Sequence, residues 1–219
     1  MIKHWFTPQL IKKFPDSKYN QNIKLIKFGG KLRLDIGGLT QSGQIMEWIW
    51  NKAFKNLLPK GFNPFEILIL GFGTGSSAKL INKKWPQAKI IGIEIDSQVI
   101  EIGKKYFQTT QIKNLKIINT DAIKYIEDHS SDGDPKGLLR GGSSYNLILL
   151  DCYQGDQIPV KFEDIKFLKK LKSQTNHLFL NRLYWEPYKT QTNKFLNKLK
   201  KHFDITTCRT PSNLVVSLS

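Results

Sequence analysis

Cysteine is scarce in this sequence. Only Cys152 and Cys208 occur, too few for a disulfide framework and without the spacing of a metal-binding pair. Histidine is nearly as sparse, and His4, His129, His177 and His202 stand apart with no ligand spacing. No apolar stretch approaches the roughly 20 residues that a membrane span requires. The N-terminal MIKHWFTPQLIKKFPDSK lacks the continuous apolar core of a signal peptide. The expectation is a soluble cytoplasmic protein with no metal and no membrane partner.

Arginine is the other shortage. Of 34 basic residues, only Arg33, Arg140, Arg182 and Arg209 are arginine, and the rest are lysine. The net charge of +16 against 18 acids invites a nucleic-acid reading, since clustered cations bind phosphates by releasing counterions. Arginine, however, is the residue that reads bases and clamps phosphates bidentately. Lysines spread over most of the helices read as solvated faces instead, so specific nucleic-acid binding is not expected.

What is present is a core: 40% of the 219 residues are hydrophobic and 11% aromatic, enough for one large domain. The first 22 residues read as a loosely docked arm. IKLIKFGGKLRLDI then places two alternating runs around Gly29-Gly30, a hairpin signal. Ser42 is placed to cap a helix carrying Ile45, Trp48, Ile49 and Ala53 at helical spacing. From Phe65 onward strands alternate with helices: EILIL, KIIGIEI, LKIINT, NLILLD and HLFLNRL are the strands, and Ser97 is placed to cap the second intervening helix. ITTCRT and NLVVSL close the chain with too few residues between them for a crossover, so they should pair antiparallel. The fold class is α/β, a Rossmann-like sheet, mostly parallel, with a terminal antiparallel strand pair and a small β-hairpin before it. The expected division is residues 1–41 as arm and hairpin and residues 42–219 as the nucleoside-binding domain. Residues 130–144, rich in Gly, Ser and Asp, read as an inserted surface loop.

The chemistry gathers where strands end. LILGFGTGSS puts Gly71, Gly73 and Gly75 between a strand and a helix, where backbone must bend sharply and approach a ligand. Glu94 ends the second strand about twenty residues on, suited to a ribose diol. Asp121 ends the third, suited to an adenine amino group, and Asp151 ends the fourth. Ligands of such sheets bind beyond the carboxyl ends of the strands, the edge these acids share. The glycines read GxGxG rather than GxGxxG, because Ser76 stands at the final position. A sulfonium nucleoside is favoured over a dinucleotide.

With these motifs in place, the sequence resembles the spermidine synthase-like (polyamine aminopropyltransferase-like) branch of the class I S-adenosylmethionine-dependent methyltransferase fold. LDIGGLTQSG is similar to that family's entry segment, with Gln41 at its nucleoside pocket. LILGFGTGS, GIEIDSQVIEIGKKYF, TDAIKYI, YNLILLD and GDQIP match further segments, from about Lys31 to Arg182. The resemblance implies an enzyme of polyamine biosynthesis. Decarboxylated S-adenosylmethionine or S-adenosylmethionine would be its co-substrate, bound through Gln41, Gly71, Gly73, Gly75, Glu94, Asp121 and Ala122. Asp151 would be the base that deprotonates an acceptor amine. Tyr153, Gln154 and Asp156 would contact a small-molecule amine or other acceptor, and a homodimer is the assembly the resemblance admits.

Departures keep other readings open. Gln154 stands where the family's second acceptor-binding acid is usual, with Asp156 two residues later. Ile49-Trp50-Asn51 replaces a Tyr-His-Glu cluster. A methyltransferase of unknown acceptor, or a non-catalytic nucleoside-binding relic, would share the same loop and acids. Whether Asp96 faces the nucleoside tail separates the two donors. Cys152 reads as a small buried neighbour, Trp48 and Trp50 as core, Trp185 as a wall of the acceptor site, and Arg182 as a partner for a rim carboxylate.

Overall fold

The strand Glu66–Leu70, EILIL, sends alternate residues to opposite sides. Ile67 and Ile69 pack with Met46, Ile49, Trp50, Ala53 and Phe54 on one face. Leu68 and Leu70 pack with Tyr125, Ile126, Phe167, Leu168 and Leu171 on the other. A strand buried on both faces needs helices on both faces, and this period of two sets the architecture.

The computed structural model describes residues 7–129 and 145–219. The inserted loop expected at 130–144 and His4 lie outside them. Four strands come first: β1 (Gln9–Lys13), β2 (Lys24–Phe28), β3 (Lys31–Ile36) and β4 (Leu39–Thr40) form an antiparallel sheet in chain order. Then follow α1 (Gln44–Leu57), β5 (Glu66–Leu70), α2 (Ser76–Lys84), β6 (Lys89–Glu94), α3 (Ser97–Phe107), β7 (Leu115–Asn119) and α4 (Ala122–His129). The chain ends with β8 (Tyr145–Leu150), α5 (Ile165–Lys172), β9 (Thr175–Leu183), α6 (Tyr188–Leu199), β10 (Ile205–Arg209) and β11 (Asn213–Leu218). Short 3₁₀ turns occupy Thr109–Gln111 and Val160–Glu163.

The second sheet has seven strands in the order β10-β11-β9-β8-β5-β6-β7. Strands β7, β6, β5, β8 and β9 are parallel, while β11 runs antiparallel to both β9 and β10. Strand order reverses at β5, whose successor β6 lies on one side and whose other neighbour is β8. Such a switch point opens a crevice at the carboxyl ends of the strands.

The N-terminal sheet packs Ile23, Leu25, Leu34 and Ile36 against Val99, Ile102 and Phe107 of α3. The expected hairpin around Gly29-Gly30 is β2–β3, but the described part of the expected loose arm, residues 7–22, is docked. Residues 9–13 pair with β2, and Phe14 joins the α3 contact. Four of the five residues of β1 are exposed, so backbone hydrogen bonds hold it and no apolar alternation announces it. Two expected caps are also corrected. Ser42 Oγ accepts from the Leu34 N–H (2.7 Å), leaving Gly43 as the uncapped start of α1. Asp96, not Ser97, caps α3, accepting from the Gln98 N–H (3.0 Å). An ionised carboxylate caps better than a hydroxyl next to the helix dipole.

Candidate active site

A cavity of about 1180 Å³ opens at the crevice, between the carboxyl ends of β5–β8 and the N-terminal sheet. Gln41, Gly71, Gly73, Glu94, Asp121, Ala122, Asp151, Tyr153 and Gln154 all line it. Gly75 and Asp156 do not.

Gly71 turns the chain at the end of β5 with φ +85°, and a Cβ there would meet the Asp151 carbonyl oxygen at 2.3 Å. Only glycine lets the β5–α2 turn pass this close to the end of β8. Two residues on, the Gly73 N–H donates to Glu94 Oε2 (2.8 Å). Glu94 Oε1 accepts from the Asp96 N–H (3.0 Å), so the β6 acid is fixed by backbone on both oxygens with lone pairs to spare. Burial pushes its carboxyl above the usual range, against the pull of those backbone donors. Gly75 serves packing: with φ +81° it starts α2, and its missing Cβ leaves room for Thr109 and Phe72.

Asp121 ends β7 and accepts from the Ile123 N–H at one oxygen (2.7 Å). Its other oxygen pairs with the Lys161 ammonium. Partial burial would raise this carboxyl, but Lys161 and the backbone donors hold it below the usual range. Ala122 follows, buried, at the start of α4.

Asp151 is the most perturbed acid that carries a definite value. Desolvation pushes its pKa up to about 6, while the Asn181 and Trp50 hydrogen bonds pull downward. Asn181 Nδ2 donates to Oδ1 (2.8 Å) and Trp50 Nε1 to Oδ2 (3.3 Å). Asn213 Nδ2 in turn donates to Asn181 Oδ1 (2.9 Å), and the Tyr153 hydroxyl donates to the Asn181 carbonyl (3.0 Å). The Asp151 carboxylate is thereby oriented by a chain of three side chains from α1, β9 and β11. Cys152 beside it has a thiol pushed well up by burial and by the neighbouring carboxylates, which leaves it no thiolate character.

Beyond β8 the chain forms a tight turn in which Gln154 and Gln157 exchange backbone hydrogen bonds. The turn leaves Gln154 exposed at the rim and carries Asp156 away. Asp156 accepts from the Tyr188 hydroxyl (2.7 Å), a bond that lowers its pKa, and so cannot replace the missing second acid at the cavity wall as expected. Gln41 Nε2 donates to the Gly155 carbonyl (2.6 Å), joining the N-terminal sheet to this turn. Asp96 is 2% exposed and points away from the cavity: Asn20 Nδ2 (2.7 Å) and the Ser17 hydroxyl both donate to its Oδ2. Among the described residues no cluster of metal-ligating side chains occurs.

A model of the family described as "Putative methyltransferase" matches residues 65–138. Polyamine aminopropyltransferase 1 of Aquifex aeolicus is 29% identical over 141 residues, 61% of this chain and 49% of that protein. The mouse eEF1A lysine and N-terminal methyltransferase is 27% identical over 120 residues, 52% of this chain and 16% of that protein. The spermidine synthase of Thermotoga maritima superposes with a TM-score of 0.69 at 14% identity, covering 96% of this chain and 72% of the other. The chain thus shares the fold of solved spermidine synthases and of a methyltransferase, and resembles polyamine aminopropyltransferases in sequence. It spans about half the length of the curated aminopropyltransferase it matches, and far less of the methyltransferase.

Trp50, Asn181, Asn213 and Lys161 join the site without having been expected there from the sequence. Trp50 is buried core, as its helical spacing implied, and also a hydrogen-bond donor to Asp151. The available signal for Asn181 was an amide directly after the apolar run LFL of β9, since a buried amide needs a partner. Trp48, expected in the core, is 42% exposed and lines the cavity beside Ile45. Trp185 also lines it. Arg182 is not at the rim: it is buried, paired with Glu163 and 4.4 Å from the centre of the Phe195 ring.

Proposed function

We propose that this protein is a transferase that binds a sulfonium nucleoside and alkylates an amine, with Asp151 as the base. Decarboxylated S-adenosylmethionine, giving aminopropyl transfer, is the first donor by its likeness to the aminopropyltransferases. The observation that carries the reading is the Asp151 carboxylate, oriented by Asn181 and Trp50 and raised to about 6, in the same cavity as Glu94 and Asp121. A carboxylate of that pKa is largely ionised at pH 7 and basic enough to assist proton removal.

The nucleoside would lie along the strand ends, its ribose on Glu94 and its adenine near Asp121 and Ala122. The Asp121–Lys161 pair leaves carboxylate lone pairs to accept the adenine amino group. An amine held as its ammonium by Asp151 loses a proton, and its freed lone pair attacks the carbon bound to sulfur. The new C–N bond forms as the C–S bond breaks, and the bonding pair goes to sulfur, which leaves as a neutral thioether. The alkylated nitrogen carries the positive charge away. Positioning in line is the main further requirement.

A second reading, methyl transfer from S-adenosylmethionine, is favoured by one observation. Asp96, the acid whose direction separates the two donors, is occupied by Ser17, Asn20 and the start of α3. The terminal ammonium of the decarboxylated donor therefore gains no partner there. Incubation with each donor and an amine mixture separates the two. Methylthioadenosine release means aminopropyl transfer, and S-adenosylhomocysteine release means methyl transfer. Formation of neither by wild type, or the same yield from Asp151→Asn, would overturn the reading.

A further inference from the structure

The cavity has two chemically different walls. The strand-end wall supplies the carboxylates Glu94, Asp121 and Asp151. Two of these are already engaged: Glu94 by the Gly73 and Asp96 N–H groups, Asp121 by Lys161 and the Ile123 N–H. Only Asp121 is compensated by a cation; Glu94 and Asp151 meet neutral donors, and with Glu94 given to the ribose, Asp151 is the carboxylate left for the acceptor. The wall from β2, β3 and α1 is of the opposite character. Phe28, Ile45 and Trp48, between 41% and 43% exposed, line it together with Lys31 and Arg33. Basic groups also lie on its rings, Arg33 over Phe28 at 5.9 Å and Lys52 over Trp48 at 5.5 Å. Lys18 adds a further cation to the lining.

With Glu94 taken by the ribose and Asp121 paired with Lys161, one carboxylate remains to bind one ammonium. A diamine bound at Asp151 would carry its second ammonium toward Lys18 and Lys31, where like charges repel, whereas Arg33 is already paired with Asp35 (3.1 Å). An aromatic body would instead bury apolar area against Trp48 and Phe28, and an anionic end would be attracted by Lys31. We infer that the acceptor is a monoamine with an aromatic or apolar body and an anionic far end, rather than a polycationic amine. The inference rests on the transferase reading, because it takes Asp151 as the amine-binding group.

The test is calorimetric, on the full chain saturated with the neutral nucleoside methylthioadenosine. Putrescine, 2-phenylethylamine and 4-(2-aminoethyl)benzoate are titrated in turn at low salt. The expected order is aminoethylbenzoate tightest and putrescine weakest, at least about 10-fold apart. Lys31→Glu, at an exposed strand position, should shrink or reverse the gap between the carboxylated amine and putrescine without changing nucleoside affinity. Trp48→Ala should weaken both aromatic amines several-fold and leave putrescine unchanged. Equal or tighter binding of putrescine by wild type would overturn the inference, as would binding of no amine beside a bound nucleoside. Both results would leave the nucleoside site standing. Failure of methylthioadenosine itself to bind would remove the transferase reading and the inference with it.

Discussion

Asp151 is costly to keep where it is. Its pKa, raised from the ordinary 3.8 to about 6, means that the folded protein prefers the protonated form. The stabilisation from this preference is complete below about pH 4 and is lost as pH rises through 6. Relative to Asp151→Asn, which does not titrate, wild type should lose about 2 kcal/mol between pH 4 and pH 7.5, measurable by urea unfolding at each pH. A flat difference would mean that the carboxyl is not perturbed. Asn181→Ala removes a donor that favours the carboxylate. Its rate should fall about 10- to 100-fold, and the acidic limb of its pH–rate profile should move to higher pH. An unshifted limb would reduce Asn181 to a packing role. The acids were legible because parallel strands deliver their carboxyl ends to one edge. Asn181 was not, because its place beside Asp151 follows from the β8–β9 register, Leu150 opposite Leu180, which no local pattern encodes.

Strand β6 and helix α3 join at a junction that does two jobs. Glu94 faces the cavity, while Asp96 two residues later caps α3 and holds the Ser17–Asn20 turn of the N-terminal segment. A continuing strand would put both on one face, but β6 ends at Glu94 and the turn into α3 directs Asp96 away from the cavity. Asp96→Ala removes a helix cap and leaves buried Asn20 short of a partner. The loss should be about 2–4 kcal/mol in chemical denaturation, with the N-terminal segment becoming sensitive to protease before the seven-stranded sheet. Loss of stability with no selective cleavage would count against the latch. Alternation from EILIL onward made the large sheet readable, and too short a link made the terminal antiparallel pair readable. Strand β1 stayed hidden because its side chains face solvent, and the Ser42 and Ser97 caps failed because each hydroxyl lost to a nearer backbone group or a stronger acid.

Across the molecule, a strongly basic chain encloses a small acidic edge. The N-terminal sheet closes over the strand ends, and Lys161 places a cation against the acid expected to hold adenine. Lys161→Met should therefore tighten the cationic decarboxylated S-adenosylmethionine several-fold relative to neutral methylthioadenosine, and added salt should erase the difference. Equal effects on both would assign Lys161 a steric role. All of this presupposes a sulfonium-nucleoside site on Gly73, Glu94 and Asp121 with Asp151 apart from it. Isothermal titration of S-adenosylmethionine, its decarboxylated form and methylthioadenosine into wild type, Glu94→Ala and Asp151→Asn tests that division directly. Wild type and Asp151→Asn should bind within about threefold of each other, and Glu94→Ala at least about 10-fold more weakly. No binding to folded wild type at millimolar nucleoside, or undiminished binding to Glu94→Ala, would show that the site has been assigned to the wrong chemistry.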